Sequence, residues 1–179
     1  VSEVAKPRAD RIATPAGQVT LTDPAEGAGV APFTSSIPYD PERVGGAAVY
    51  CSDGRYGDQM DEFLHVGLGL PGYDRVAVPG GGACLAGHLR AMRERGAMER
   101  QLRFLIESHQ LRRVVLIAHE DCGFYKHLGR VTKGSLEAQQ RHDLAETAAR
   151  IREWGLSCAI EAYFARKADG TVRFEPVWT

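Results

Sequence analysis

Along the chain, short unbroken apolar runs alternate with longer stretches in which apolar residues recur every three or four positions. Val44–Tyr50 is such a run and reads as a short buried strand. Met60, Phe63, Leu64 and Leu68 then recur at helical spacing within 57–68, and Gly69–Gly72 ends that helix. Tyr73–Val78 predicts a second strand, closed by Pro79-Gly80-Gly81-Gly82. Two helices are expected at about 83–94 and 97–109, the second with Met98, Leu102, Leu105 and Ile106 on one face. Arg112–Ala118 is apolar without alternation, the pattern of a central parallel strand. A helix should begin near Cys122 and carry Phe124, Tyr125 and Leu128. Ser135 reads as the N-cap of the longest helix, about 136–154, whose Leu136, Leu144, Ile151 and Trp154 share a face and which Gly155 stops. Ser157–Arg166 is a further strand, Asp169-Gly170 a two-residue hairpin turn, and Thr171–Val177 its returning partner.

This order predicts an α/β fold: a mostly parallel central sheet flanked by helices, with a C-terminal antiparallel edge strand. Residues 1–42 differ from the rest, with weak periodicity and most of the nine prolines. They read as an extended N-terminal arm ahead of an α/β domain at 43–179. The arm is either a loose tail or a strap across a partner subunit, with Phe33, Ile37 and Tyr39 as apolar surface to bury.

Composition narrows the function classes. A chain of 179 residues with 44% hydrophobic and 25% charged residues is ordinary for one globular domain. A net charge of −1 gives no basic excess for nucleic acid. No apolar run approaches the roughly 20 residues of a membrane helix, and the first residues lack the pattern of a signal peptide. The four cysteines, at 51, 84, 122 and 158, are widely dispersed, which favours metal or catalytic use over a disulfide framework. Together these features point to a cytoplasmic protein.

The candidate chemistry begins at the end of the first strand. Cys51-Ser52-Asp53-Gly54-Arg55 places a thiol, a carboxylate and a guanidinium at alternating positions. In an extended chain these side chains share a face, and Gly54 would permit a sharp bend. Asp53 and Arg55 are spaced for a charge-assisted pair. A thiol beside them indicates a metal site or a reactive cysteine. The third predicted strand runs into His119-Glu120-Asp121-Cys122-Gly123. Ligands in α/β sheets gather at the carboxyl ends of strands, so Cys51, His119 and Cys122 can meet there. Two thiolates and one imidazole suit zinc, and three protein ligands leave the open corner of a catalytic site. Pro79-Gly80-Gly81-Gly82 lacks the spacing of a phosphate-binding loop and reads as a tight, closely packed turn. Cys84 and Cys158 read as buried packing residues.

With these residues in hand, the chain resembles the β-class carbonic anhydrases, whose signature is Cys-x-Asp-x-Arg followed later by His-x-x-Cys-Gly. The resemblance runs from about 44 to 177 and implies an enzyme that reversibly hydrates carbon dioxide to bicarbonate through a zinc-bound hydroxide. It implies Cys51, His119 and Cys122 as zinc ligands, and Asp53 with Arg55 as a catalytic dyad. Asp53 would orient the hydroxide and Arg55 would hold Asp53 ionised. In the family the aspartate can also swing onto the metal and switch the enzyme off. The resemblance further implies a homodimer or larger homo-oligomer. The chain departs from the family's usual pattern at Val78–Gly82 and at Phe124 and Tyr125, residues that border the expected pocket. His65, His88 and His127 are candidate proton shuttles, each weighed against a surface or packing role. Hydrolysis of carbonyl sulfide or carbon disulfide, or a non-catalytic zinc-binding assembly role, are the alternative functions on the same scaffold.

Overall fold

The computed structural model describes residues 32–88, 91–128 and 133–178. Earlier arm residues lie outside these. Residues 32–42 carry no helix or strand and are exposed, and Arg43–Thr179 forms a compact unit of its own.

That unit is built on five strands: β1 (Gly46–Cys51), β2 (Asp74–Val78), β3 (Arg113–His119), β4 (Ala159–Ala168) and β5 (Thr171–Pro176). Their order in the sheet is β2-β1-β3-β4-β5. The first four run parallel, and β5 pairs antiparallel with β4. The predicted α/β class therefore stands. β1 and β3 occupy the middle and are buried almost throughout, as their unbroken apolar runs require. The hairpin turn is as expected: Asp169 and Gly170 both take positive φ, 47° and 80°, the pairing of a type I′ turn.

The helices are α1 (Gly57–Glu62), α2 (Met92–His109), α3 (Gly123–Leu128) and α4 (Lys133–Arg152). Alternation along the strands splits the core in two. Ala47, Val49, Val114 and Leu116 face one layer, with Met98, Leu102 and Ile106 of α2 and Leu144 and Ile151 of α4. Ala48, Tyr50, Val115 and Ile117 face the other, with Met60 and Leu64. α1 continues as one π-helical stretch, Phe63–Gly67. Buried Asp61 of α1 accepts from the Tyr73 hydroxyl at 2.5 Å and pairs with Arg75, tying α1 to β2. Arg141 of α4 lies over the Phe164 ring at 4.7 Å and pairs with Glu137 and Glu175, tying α4 to the hairpin.

Three expectations are corrected. In place of a helix over 83–94 there is a 3-10 segment, Gly81–Ala86, ended by Gly87 at φ 93°. One helix then runs from Met92 through Gly96 to His109, and its buried face, Met98, Leu102 and Ile106, lies wholly beyond the glycine. Ser135 is not a cap, since α4 begins at Lys133. Cys158 is only half-buried, against the edge of the core, whereas Cys84 is buried as expected. Among the described residues no helix is long and apolar enough to cross a membrane.

Leu116, fully buried on the central strand, supplies a test of this core. Leu116→Ala is expected to cost about 2–5 kcal/mol in urea unfolding. Val66→Ala, at a 79% exposed position, is expected to stay within about 0.5 kcal/mol of wild type.

Candidate metal centre

Cys51 ends β1 and His119 ends β3, its neighbour in the sheet, so both stand at the carboxyl edge of the parallel strands. Cys122 follows after a tight turn in which Asp121 takes φ 60°, and it directly precedes α3. The structure brings all three together: their ligand atoms lie within 4.8 Å of one another, and all three residues are buried. The two sulfurs are 3.8 Å apart, too far for the roughly 2.05 Å of a disulfide. Two sulfurs on a tetrahedral zinc at about 2.3 Å each would lie roughly 3.8 Å apart.

The imidazole points the same way. His119 Nδ1 lies 2.9 Å from the Glu120 carbonyl oxygen. A carbonyl only accepts, so Nδ1 carries the hydrogen and Nε2 the lone pair. Nε2 is buried without a hydrogen-bond partner. An orphaned lone pair beside two thiols is the donor set for a thiophilic divalent ion. The Cys51 thiol is drawn well below its usual range, first by a hydrogen bond from Cys122 and further by the Gly80 N–H, against the effect of burial. Cys122 is pushed up as the partner that keeps the shared proton. The pocket thus favours a thiolate even before a metal contributes.

The dyad residues meet, but not in the expected way. The chain does not stay extended; it enters a 3-10 turn at Gly54–Tyr56, with Asp53 as its cap. Arg55 donates to one Asp53 oxygen from its backbone N–H at 3.1 Å and from Nε at 2.9 Å. Its second guanidinium nitrogen reaches the other oxygen at 2.5 Å. Asp53 is thereby held at about 2, chiefly by Arg55. Gly54 is not in the left-handed region, and a Cβ there would meet nothing within 4 Å, so the bend does not depend on glycine.

The glycine run is the close-packed turn that was expected. Gly80, at φ 77°, leaves no room for a Cβ against the Phe124 ring, and its N–H donates to Cys51 Sγ at 3.4 Å. Of the three candidate shuttle histidines, none joins the ligand cluster. His65 lies by the Tyr73 ring, His88 pairs with Asp143, and His127 is exposed.

Sequence reasoning missed the residues that hold the cluster. Tyr56 packs its ring on His119, centroids 4.3 Å apart, and donates from its hydroxyl to the Glu120 carbonyl at 3.0 Å. Gln140 donates to the His119 carbonyl at 2.8 Å, and Thr147 to the Gly82 carbonyl at 3.0 Å. A signal existed. Gln140, Asp143 and Thr147 fall among Leu136, Leu144 and Ile151 at helical spacing, so they had to be polar residues on the buried face of α4.

Calorimetric titration with zinc is expected to show one site per chain. Cys51→Ala, His119→Ala and Cys122→Ala should each remove it, with circular dichroism checking the fold. Cys84→Ala and Cys158→Ala should retain it.

Comparison with solved structures finds β-carbonic anhydrases. CafD of Aspergillus fumigatus matches with 14% identity and a TM-score of 0.45, covering 79% of this chain and 94% of its own. CafA of the same fungus matches with 14% identity and a TM-score of 0.40, covering 77% and 78%. A structure from work on two tetrameric β-carbonic anhydrases of Sordaria macrospora matches with 13% identity and a TM-score of 0.36, covering 74% and 81%. No curated protein matches the chain. The family model described as "Putative carbonic anhydrase" matches residues 42–177, a span that takes in both motifs, and the chain belongs to that family.

Proposed function

We propose that the protein is a zinc-dependent carbonic anhydrase, reversibly hydrating carbon dioxide to bicarbonate, with residues 43–179 as its catalytic domain and 1–42 as an arm. The observation that carries this reading is the buried cluster of Cys51, His119 and Cys122 together with the Asp53–Arg55 pair that begins two residues beyond Cys51. A structural zinc site closes its coordination with four protein ligands. Here three donors gather among the described residues, and an oriented, ionised carboxylate adjoins them. A purely structural site has no use for such a pair.

Zinc, when bound, supplies a Lewis acid that makes water a nucleophile near neutral pH. Cys51 and Cys122 would hold it as thiolates and His119 through Nε2. Asp53 accepts a hydrogen bond from the attacking water and turns its lone pair toward the carbon of carbon dioxide. Arg55 keeps Asp53 charged and in one orientation through three hydrogen bonds. Tyr56 and the Glu120 carbonyl hold the imidazole in the tautomer that presents Nε2.

Stopped-flow carbon dioxide hydration by zinc-loaded protein tests the reading. Wild type should turn over, Asp53→Asn should lower kcat by on the order of 100-fold or more, and Cys51→Ala should be inactive. A wild-type rate equal to buffer at every pH rejects the proposal, and turnover of carbonyl sulfide in its place would make the enzyme a hydrolase of a related linear substrate.

We also propose a homodimer or larger homo-oligomer. Phe33, Ile37 and Tyr39 stand 92%, 58% and 89% exposed within a few residues of one another, an apolar surface that calls for cover. Light scattering on the full chain should give at least twice the monomer mass; a monomer mass at all concentrations rejects this.

A further inference from the structure

The parallel ladder between β3 and β4 opens with the Ala159 N–H donating to the Arg112 carbonyl at 2.8 Å. Such a ladder repeats in steps of two along both strands. Its last regular bond runs from the Glu120 N–H to the Ala165 carbonyl at 2.9 Å, just past the His119 and Ala165 pair. One step further, the repeat assigns the Lys167 N–H to the main-chain carbonyl of Glu120. That N–H goes instead to the Glu120 side chain, to Oε2 at 3.0 Å. A carboxylate oxygen stands in for a carbonyl at the end of the sheet.

The carbonyl so released is occupied elsewhere. His119 Nδ1 lies 2.9 Å from it and the Tyr56 hydroxyl donates to it at 3.0 Å, two donors for its two lone pairs. The chain leaves the ladder at the next residue, where Asp121 takes φ 60°. The Asp121 carboxylate pairs with Lys167 Nζ at 2.6 Å and with Lys126 Nζ at 3.2 Å. Lys167 therefore holds this turn twice, through its backbone N–H and through its ammonium. Solvent screens the charge attraction of such exposed pairs. What the arrangement decides is which acceptor each donor finds.

We propose that the Glu120 side chain is a positioning residue for His119: by taking the Lys167 N–H it leaves the Glu120 carbonyl to the Nδ1 hydrogen. Without the carboxylate, the Lys167 N–H competes with the imidazole for that carbonyl. An imidazole deprived of its Nδ1 partner is free to carry its hydrogen on Nε2, which occupies the lone pair directed at the two sulfurs. A glutamate that only finished the sheet would change stability and leave the ring alone. The inference rests on the metal reading for its purpose, whereas the tautomer is a property of the metal-free chain.

The test is NMR of the metal-free full-length chain carrying nitrogen-labelled histidine, at a pH where the imidazoles are neutral. The His119 signals are identified among the six histidines by their loss in His119→Ala. Zinc affinity from chelator competition is read in parallel. Wild type should show Nδ1 protonated and Nε2 bare. Glu120→Ala should move His119 toward the Nε2–H form and weaken zinc binding on the order of 10-fold or more, as loss of groups supporting metal ligands does. Glu120→Gln keeps an oxygen acceptor and should restore both. Lys167→Ala loses the ammonium but keeps the backbone N–H, and should retain the wild-type tautomer. Ile160→Ala, in the core face of β4, should lower Tm with the tautomer unchanged. If Glu120→Ala does not fold, Glu120→Leu, which keeps bulk without the acceptor, decides in its place. A wild-type tautomer in the variant lacking the acceptor overturns the proposal, as does an equal shift in Ile160→Ala or a shift confined to Lys167→Ala. Wild type that binds no zinc overturns the metal reading, while the tautomer still decides the role of Glu120. Zinc binding without carbon dioxide hydration overturns the enzymatic reading alone.

Discussion

Leaving His119 Nε2 buried and unpartnered is unfavourable by about 1–3 kcal/mol if nothing ever fills the place. The fold nevertheless commits to it. The Glu120 carbonyl takes the Nδ1 hydrogen, the Tyr56 ring covers one face of the imidazole, and β3 is locked between two parallel neighbours. The remaining lone pair has two sulfurs within 4.8 Å and no other polar partner. Such an arrangement resists folding slightly in the absence of an ion and rewards the arrival of one, so metal affinity and fold stability are linked at this ring.

The linkage depends on bringing distant segments to one point, and α4 does much of that work. Its buried face is not uniformly apolar. Gln140, Asp143 and Thr147 interrupt the stripe of Leu136, Leu144 and Ile151, and each reaches a different part of the site. Gln140 takes the carbonyl of His119, Thr147 that of Gly82, and Asp143 pairs with His88 in the loop after the glycine run. A helix packed by leucines alone could slide or rotate at small cost. These directional bonds fix its register, and with it the spacing between the ends of β1, β3 and the glycine run.

Much of this was legible in the chain. The unbroken apolar runs ending in Cys51 and His119 located the central strands and placed these two side chains at their carboxyl ends, because strand burial on both faces leaves a plain hydrophobic signature. The segment between Gly80 and His109 was read less well. Its 3-10 stretch is short and glycine-rich, so local periodicity had little to act on, and tertiary contacts with Tyr50, Thr147 and Phe124 decided its course. Asp53 and Arg55 pair as their spacing suggested, but through a different backbone. Alternation predicted a shared face, yet the side chain of Asp53 accepts from the main chain two residues on and pulls it into a turn. Tyr56 and Gln140 were missed because the first lies just past the motif and the second is revealed only by its place within an apolar stripe.

The turn matters more than its length suggests. The Arg55 side chain is 74% exposed and Asp53 only 17%, so solvent and salt weaken the energy of their attraction. What survives screening is geometry. One residue presents its backbone N–H and two guanidinium nitrogens to one carboxylate, and the 3-10 turn sets the distance between the two. Asp53 is therefore oriented by covalent connectivity as much as by charge. Exposure rises from the buried ligands, through the half-buried acid, to a guanidinium in water. A carboxylate at that boundary can meet a substrate arriving from solvent while the donors behind it stay dry, a division of labour that suits the hydration proposed above.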